Sequence, residues 1–89
     1  MPRVIHNRYY YSDGSILDHR NHEKVLHRTD GPAIEYANGN KYWYLQSRYH
    51  RTDGPAVELA NGDKWWYLHG QLHRADGPAV EWANGNKEW

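Results

Sequence analysis

The chain has 89 residues and no cysteine, so it fits one small domain that disulfide bonds cannot stabilise. Its 11 basic residues balance 11 acidic ones, which gives a formal net charge of zero. A neutral chain lacks the positive electrostatic footprint of proteins that bind duplex DNA or anionic lipid. We therefore expect neither duplex DNA nor a membrane as a partner.

Aromatic residues make up 15% of the chain, as five Trp and eight Tyr with no Phe. Disordered chains are poor in such rings, so we expect this chain to fold. Tyr and Trp also carry a polar tip that can reach water or a partner. The sequence contains no apolar run of membrane-spanning length and no signal-peptide pattern, which predicts a cytoplasmic protein.

A repeat with a step of 23 residues dominates the sequence and predicts a repeat architecture. We divide the single domain into a degenerate N-terminal capping repeat (1–25), repeat 1 (26–48), repeat 2 (49–71) and a truncated repeat 3 (72–89). The third copy stops before its second turn. It is therefore either trimmed or has an edge that another chain covers, so a homo-oligomer formed through the C-terminal edge is one prediction.

Each repeat predicts a β-hairpin at its Ala-Asn-Gly triplet. With a two-residue turn at Asn38-Gly39, Ile34 lies opposite Trp43, and Trp43 joins the core. The Tyr42 and Tyr44 columns then form a wet aromatic face on the other side. A bulged three-residue loop would shift this register by one and exchange the faces.

A second tight turn is predicted at Gln46-Ser47 and at His69-Gly70, with a short strand through residues 48–50 after the first. The proline of each Asp-Gly-Pro cannot donate to a sheet ladder, so it marks a corner between hairpins. The predicted fold is an all-β antiparallel meander of tandem hairpins.

Residues 66–73 carry an aromatic pair, a glycine three residues on and a histidine three further, in a repeat of 23 residues. This pattern resembles the MORN repeat and the related bacterial MORN-like repeats. The variant His-Arg-x-Asp-Gly-Pro-Ala-x-Glu departs from the MORN pattern after the histidine and is similar to tandem repeats of bacterial and bacteriophage proteins. The resemblance covers about residues 26–89 and implies tandem hairpins; it does not extend to the lipid roles of some MORN proteins.

His27, Asp30 and Glu35 recur in each repeat and are of the residue types that ligate metals or transfer protons. An active site, however, needs one constellation whose members have different roles, whereas a repeated ladder is typical of stacked units that satisfy their own corners. We favour the structural interpretation. The chain is predicted to be no enzyme and to need no cofactor or metal.

The arginine of each repeat has two interpretations. Arg28, Arg51 and Arg74 could line a strip that binds planar anions beside the rings. Alternatively, each pairs with the glutamate of its own repeat, at positions 35, 58 and 81. We favour the ion pair, since it also explains the zero net charge.

The leading hypothesis is a non-enzymatic binding module that uses a repeated aromatic and arginine face for protein interaction, either inhibitory or self-assembling. The alternative is a phage-type antidefence protein, in the host cytoplasm, that sequesters a small anionic nucleotide. A metal-dependent enzyme is a third reading. The predicted binding residues are Tyr42, Tyr44, Trp65, Tyr67, Arg28, Arg51, Arg74, His27, His50 and His73.

Overall fold

The computed structural model of the chain describes residues 6–89, and within this range all regular structure is β-strand. The first five residues of the predicted cap lie outside it. The strands are β1 (Arg8–Tyr10), β2 (Ile16–Leu17), β3 (Ile34–Glu35), β4 (Lys41–Tyr42), β5 (Tyr44–Leu45), β6 (Arg48–Tyr49), β7 (Val57–Glu58), β8 (Lys64–Trp65), β9 (Tyr67–Leu68), β10 (Gln71–Leu72), β11 (Val80–Glu81) and β12 (Lys87–Glu88).

Eight strands form one antiparallel sheet in the order β2-β1-β3-β4-β7-β8-β11-β12. The pairs β5–β6 and β9–β10 form two smaller hairpins beside it. The predicted all-β meander is confirmed. The second turns also lie where the sequence placed them, with positive φ at Gln46, Ser47, His69 and Gly70.

The hairpin loops contain three residues, so the two-residue register expected at Asn38-Gly39 is wrong by one. The amide of Tyr36 donates to the carbonyl of Asn40, and Gly39 has a φ of 99°. This is a turn followed by a left-handed glycine, which leaves a bulge. Ile34 is consequently opposite Tyr42, and Trp43 is not its partner.

The corrected register places aromatic and β-branched residues alternately along one face of the sheet. Every pair of neighbouring strands except β11–β12 places a ring opposite an aliphatic side chain, an arrangement that stabilises sheets. The ladder runs through Leu17, Tyr9, Ile34, Tyr42, Val57, Trp65 and Val80, and ends at Glu88. Val57, at its centre, is fully buried.

The opposite face carries an alternating ladder of charges. The glutamate common to the three repeats, at positions 35, 58 and 81, has a basic residue across the strand on both sides, and opposite charges in such pairs attract. In sheet order the ladder consists of Arg8, Glu35, Lys41, Glu58, Lys64, Glu81 and Lys87.

Candidate functional site

Each Asp-Gly-Pro corner is built around the arginine that precedes it, in an arrangement we call the arginine staple. In the second staple, Nε of Arg51 donates to Asp53 at 2.8 Å. Its Nη1 donates to the carbonyl of Pro55 at 3.1 Å and to Glu58 at 3.4 Å. The guanidinium also lies 3.9 Å from the centroid of the Trp43 ring, at cation–π distance.

The other two staples repeat this geometry. Arg28 pairs with Asp30 at 2.9 Å and Glu35 at 2.8 Å, and lies over the Tyr10 ring. Arg74 pairs with its own aspartate at 3.1 Å and its own glutamate at 3.5 Å, and lies over the Trp66 ring at 4.0 Å. The ring under each guanidinium comes from the preceding repeat or from the cap, so every staple joins two consecutive units.

The glycine of each corner is required by the space that the arginine occupies. A Cβ atom at Gly54 would lie 2.9 Å from Cζ of Arg51, and the corresponding distances at Gly31 and Gly77 are 3.0 and 2.8 Å. At Gly54 and Gly77 a Cβ atom would force the guanidinium to shift, and at Gly31 the contact would be tighter than most carbon contacts. The guanidinium is thus packed between an aromatic ring and a glycine.

The exposed charge at the corners belongs to the aspartates. The side chains of Asp30, Asp53 and Asp76 are 81%, 81% and 87% exposed, whereas those of the three arginines are 21–22% exposed. Hydrogen bonding from Arg28 and Arg51 lowers the pKa of Asp30 and of Asp53, so both are ionised at neutral pH.

Three grooves lie along the row of corners. The second groove, of about 580 Å³, is lined by residues 28–31 of one corner, residues 50–53 of the next, and Trp43 with Leu45. The third groove, of about 700 Å³, is lined by residues 51–54, residues 73–76, Trp66 and Leu68. Because residues 51–53 line both, these two grooves are adjacent and form one surface.

The first groove, of about 550 Å³, is the counterpart formed by the cap and the first corner. It is lined by residues 10–12, residues 14–16 and residues 27–30. Tyr10 takes the place that Trp43 and Trp66 hold in the other two. The three grooves therefore share a ring, a histidine and an arginine staple.

Two of the predicted histidines fix the second turn of a repeat. Nδ1 of His27 accepts from the amide of Gln46 at 3.1 Å, and Nδ1 of His50 accepts from the amide of His69 at 3.0 Å. The rings of His50 and His69 are 4.5 Å apart. Burial and the neighbouring His69 lower the pKa of His50. His73 is exposed and lines the third groove.

The aromatic residues predicted to form an open face are half-buried against other rings, and the observed register shows that the face assignment made from the two-residue loop is wrong. Tyr42 and Tyr44 pack against the buried cluster of the cap and first repeat. Trp65 makes an edge contact with Trp82 at 5.9 Å, and Tyr67 lies 5.0 Å from Tyr49. The cause is the three-residue loop, which moves the second strand by one residue.

The same shift moves Trp43 and Trp66, which the sequence placed in the core, to the grooves. The sequence therefore did not predict that these tryptophans share one surface with the leucines at 45 and 68 and with the exposed aspartates of the corners. The alternative left open from the sequence, a bulged three-residue loop that exchanges the two faces, is the one that the structure has. The predicted pairing of arginine with glutamate is present in all three staples.

Within residues 6–89, no three His, Asp or Glu side chains form a group that could hold a metal ion. The same residues contain no helix of the length and apolarity needed to cross a membrane.

Comparison with protein families, curated proteins and solved structures finds no match for this chain. The MORN-like resemblance of residues 26–89 therefore stays a prediction.

Proposed function

We propose that the chain is a non-enzymatic, MORN-like repeat module that binds another protein along its row of grooves. The observation that carries this proposal is the continuity of the second and third grooves through residues 51–53. Each groove combines a Trp and a Leu with polar rims, a composition typical of the centres of protein interfaces.

The packing of the other aromatic residues supports the choice of this surface. Tyr42, Tyr44 and Tyr67 contact other rings or the core of the fold. Trp43 and Trp66 have one face covered by arginine and line the grooves. Rigid rings held in this way contribute contact area without a large loss of side-chain entropy.

Sequestration of an anionic nucleotide stays a prediction of the sequence and receives no support from the staples. Each arginine already donates to an aspartate and lies close to a glutamate, and about a fifth of each side chain is exposed. An anion in the groove would meet exposed carboxylates first, and like charges repel.

Site-specific photo-crosslinking tests the proposal. A photoreactive residue replaces Thr52, which lines both adjacent grooves, and in a separate variant it replaces Glu23, which lines none of the three. We expect a protein adduct of defined mass from position 52 and none from position 23 in the cells that produce the protein. Equal adducts from both positions would contradict the proposal.

A matched pair of variants locates the interface on the correct face. Leu68→Glu places a charge in the third groove, whereas Leu72→Glu places it on the other strand of the same hairpin, outside the grooves. Leu72 is 53% exposed, so Leu72→Glu shows whether a charge at any exposed apolar residue, rather than in a groove, removes the adduct. The adduct at position 52 should disappear in Leu68→Glu and persist in Leu72→Glu; the reverse result would overturn the proposal.

A further inference from the structure

The charges that a partner meets in the two adjacent grooves are negative. Asp30 and Asp53 flank the second groove, Asp53 and Asp76 flank the third, and all three carboxylates are more than four-fifths exposed. The arginines that bond them are about four-fifths covered. None of the described lysines lines either groove. The accessible electrostatic complement is therefore a cation.

The spacing of the grooves matches an extended peptide. Each repeat contributes two neighbouring strands to the sheet, so equivalent points in successive repeats are about 10 Å apart. Three residues of polyproline II backbone make one turn and span about 9 Å, so every third side chain points in the same direction. A peptide that lies along the row would present every third side chain to an equivalent groove.

We propose that the two grooves bind an extended basic segment of a partner protein, with lysine or arginine at every third position. This inference rests on the proposed function and specifies the chemistry of the partner. The aliphatic stem of each basic side chain packs on Trp43 and Leu45, or on Trp66 and Leu68, and its charged head reaches the aspartates at the rims.

Asp53 lies on the rim shared by the second and third grooves, as Asp30 lies on the rim shared by the first and second, so Asp53 serves both grooves of the proposed site. Its Oδ1 accepts from Nε of Arg51, and its other oxygen makes no hydrogen bond with the described residues. That oxygen is free to accept from a cation. Within this pair of grooves, Asp30 flanks only the second and Asp76 flanks only the third.

Two synthetic peptides of identical composition test the spacing. One peptide carries a lysine at every third position. The other contains the same residues, but its lysines occupy every second position of the first part of the peptide and the remaining residues follow them. Fluorescence anisotropy of the labelled peptides against the full chain measures their affinities. We expect the first to bind about fivefold or more tightly than the second, and both affinities to fall with added salt.

Two variants that each remove one negative charge test the role of Asp53 in binding the peptide. Asp53→Asn keeps an oxygen that can accept from Arg51, so the staple is preserved, and it should weaken binding of the first peptide about fivefold. Asp18→Asn removes an exposed carboxylate that lines none of the grooves and should change the affinity less than about twofold.

Equal binding of the two peptides, or equal weakening by the two variants, would mean general electrostatic attraction and would overturn the inference. Failure of both peptides to bind would overturn it as well. Crosslinking at position 52 would still test the proposed function separately, since a protein partner of other chemistry gives an adduct without binding either peptide.

Discussion

Each arginine of the repeat acts through three different properties of its side chain. The planar guanidinium stacks on a ring, its Nε and Nη1 donate to the aspartate and a backbone carbonyl, and its charge attracts the glutamate of the same repeat. Lysine has a charge and N–H donors, but it lacks the planar fork that stacks on the ring while two nitrogens donate to different acceptors. The residues of the Asp-Gly-Pro corner follow from this requirement: Asp53 accepts, Gly54 gives space and Pro55 offers a free carbonyl.

Adding a methyl group at Gly54 should therefore act through Arg51. Gly54→Ala places a carbon atom 2.9 Å from Cζ of Arg51, so the guanidinium must move away from Trp43. We expect a loss of about 1 kcal/mol in the free energy of unfolding, at the low end for overpacked sites because the displaced group is the end of a flexible side chain. Urea unfolding followed by tryptophan fluorescence measures it.

The control for Gly54 is a double-mutant cycle. In an Arg51→Ala background the guanidinium is absent, and the added cost of Gly54→Ala should fall to about 0.5 kcal/mol or less. An unchanged cost in that background would contradict the steric explanation and would place the strain in the backbone of the corner.

The hydrogen bond at His50 predicts how stability depends on pH. Nδ1 can accept from the amide of His69 only when it is unprotonated. Burial and the neighbouring His69 lower the pKa of His50 in the folded state, so the unfolded state binds the proton more readily. The contribution to stability is complete above the ordinary histidine pKa of about 6.5 and is lost as the pH falls below it.

A variant without an ionisable side chain at position 50 isolates the contribution of His50 to the pH dependence of stability. His50→Asn keeps an oxygen acceptor near the position of Nδ1, so the loss of stability between neutral and mildly acidic pH should be smaller than in the parent chain. His22→Asn, at an exposed histidine, serves as the control and should leave the pH dependence unchanged. An identical pH dependence in all three chains would show that His50 makes no contribution to it.

At the scale of the elements, the corners and both kinds of turn are predictable from the sequence, because they depend on local residues such as Pro32 and Gly70. The alternation predicts one strand over residues 41–45, but this segment is divided at Trp43 between β4 of the large sheet and β5 of a smaller hairpin. The hairpin register is not predictable in this way, because Asn38-Gly39 fits a loop of two or three residues. The longer loop has Asn38 accepting from the amide of Asn40, and Asn40 accepting from the amide of Ala60 in the next hairpin. The second contact depends on tertiary structure.

The candidate site was only partly predictable for the same reason. The pairing of Arg28 with Glu35 follows from their shared repeat, and it is observed. The half-buried tryptophans of the grooves could not be identified before the register was known, since a shift of one residue exchanges the two faces of a strand.

The contact between neighbouring hairpins has a direct test at Asp63, the counterpart of Asn40. Its Oδ1 accepts from the amide of Ala83, so Asp63→Ala leaves that amide without its partner and should cost about 1 kcal/mol. Asp63→Asn keeps a side-chain oxygen that can accept, as the oxygen of Asn40 does in the preceding repeat. It should change the free energy of unfolding by less than about 0.5 kcal/mol. Equal losses in thermal or urea unfolding would show that the charge, rather than the hydrogen bond, stabilises the tip.

At the scale of the whole molecule, each hairpin contacts mainly its neighbours in the sheet. The aromatic and aliphatic ladder, the charge ladder and the arginine staples all join consecutive units. Stability in such arrays is close to a sum of the terms within units and between nearest neighbours. The central strands therefore have support from both sides.

Two equivalent valines should consequently differ in the effect of the same substitution. Val57 is fully buried between Tyr42 and Trp65, whereas Val80 is 6% exposed and lies between Trp65 and Glu88. We expect Val57→Ala to cost about 2 kcal/mol and Val80→Ala about 1 kcal/mol, since the first removes apolar contacts with rings on both sides. Hydrogen exchange read by mass spectrometry should show lost protection on both sides of Val57 but only in β11 and β12 around Val80. Equal and global losses would mean that the sheet unfolds as one cooperative unit, in which position along the array has no influence.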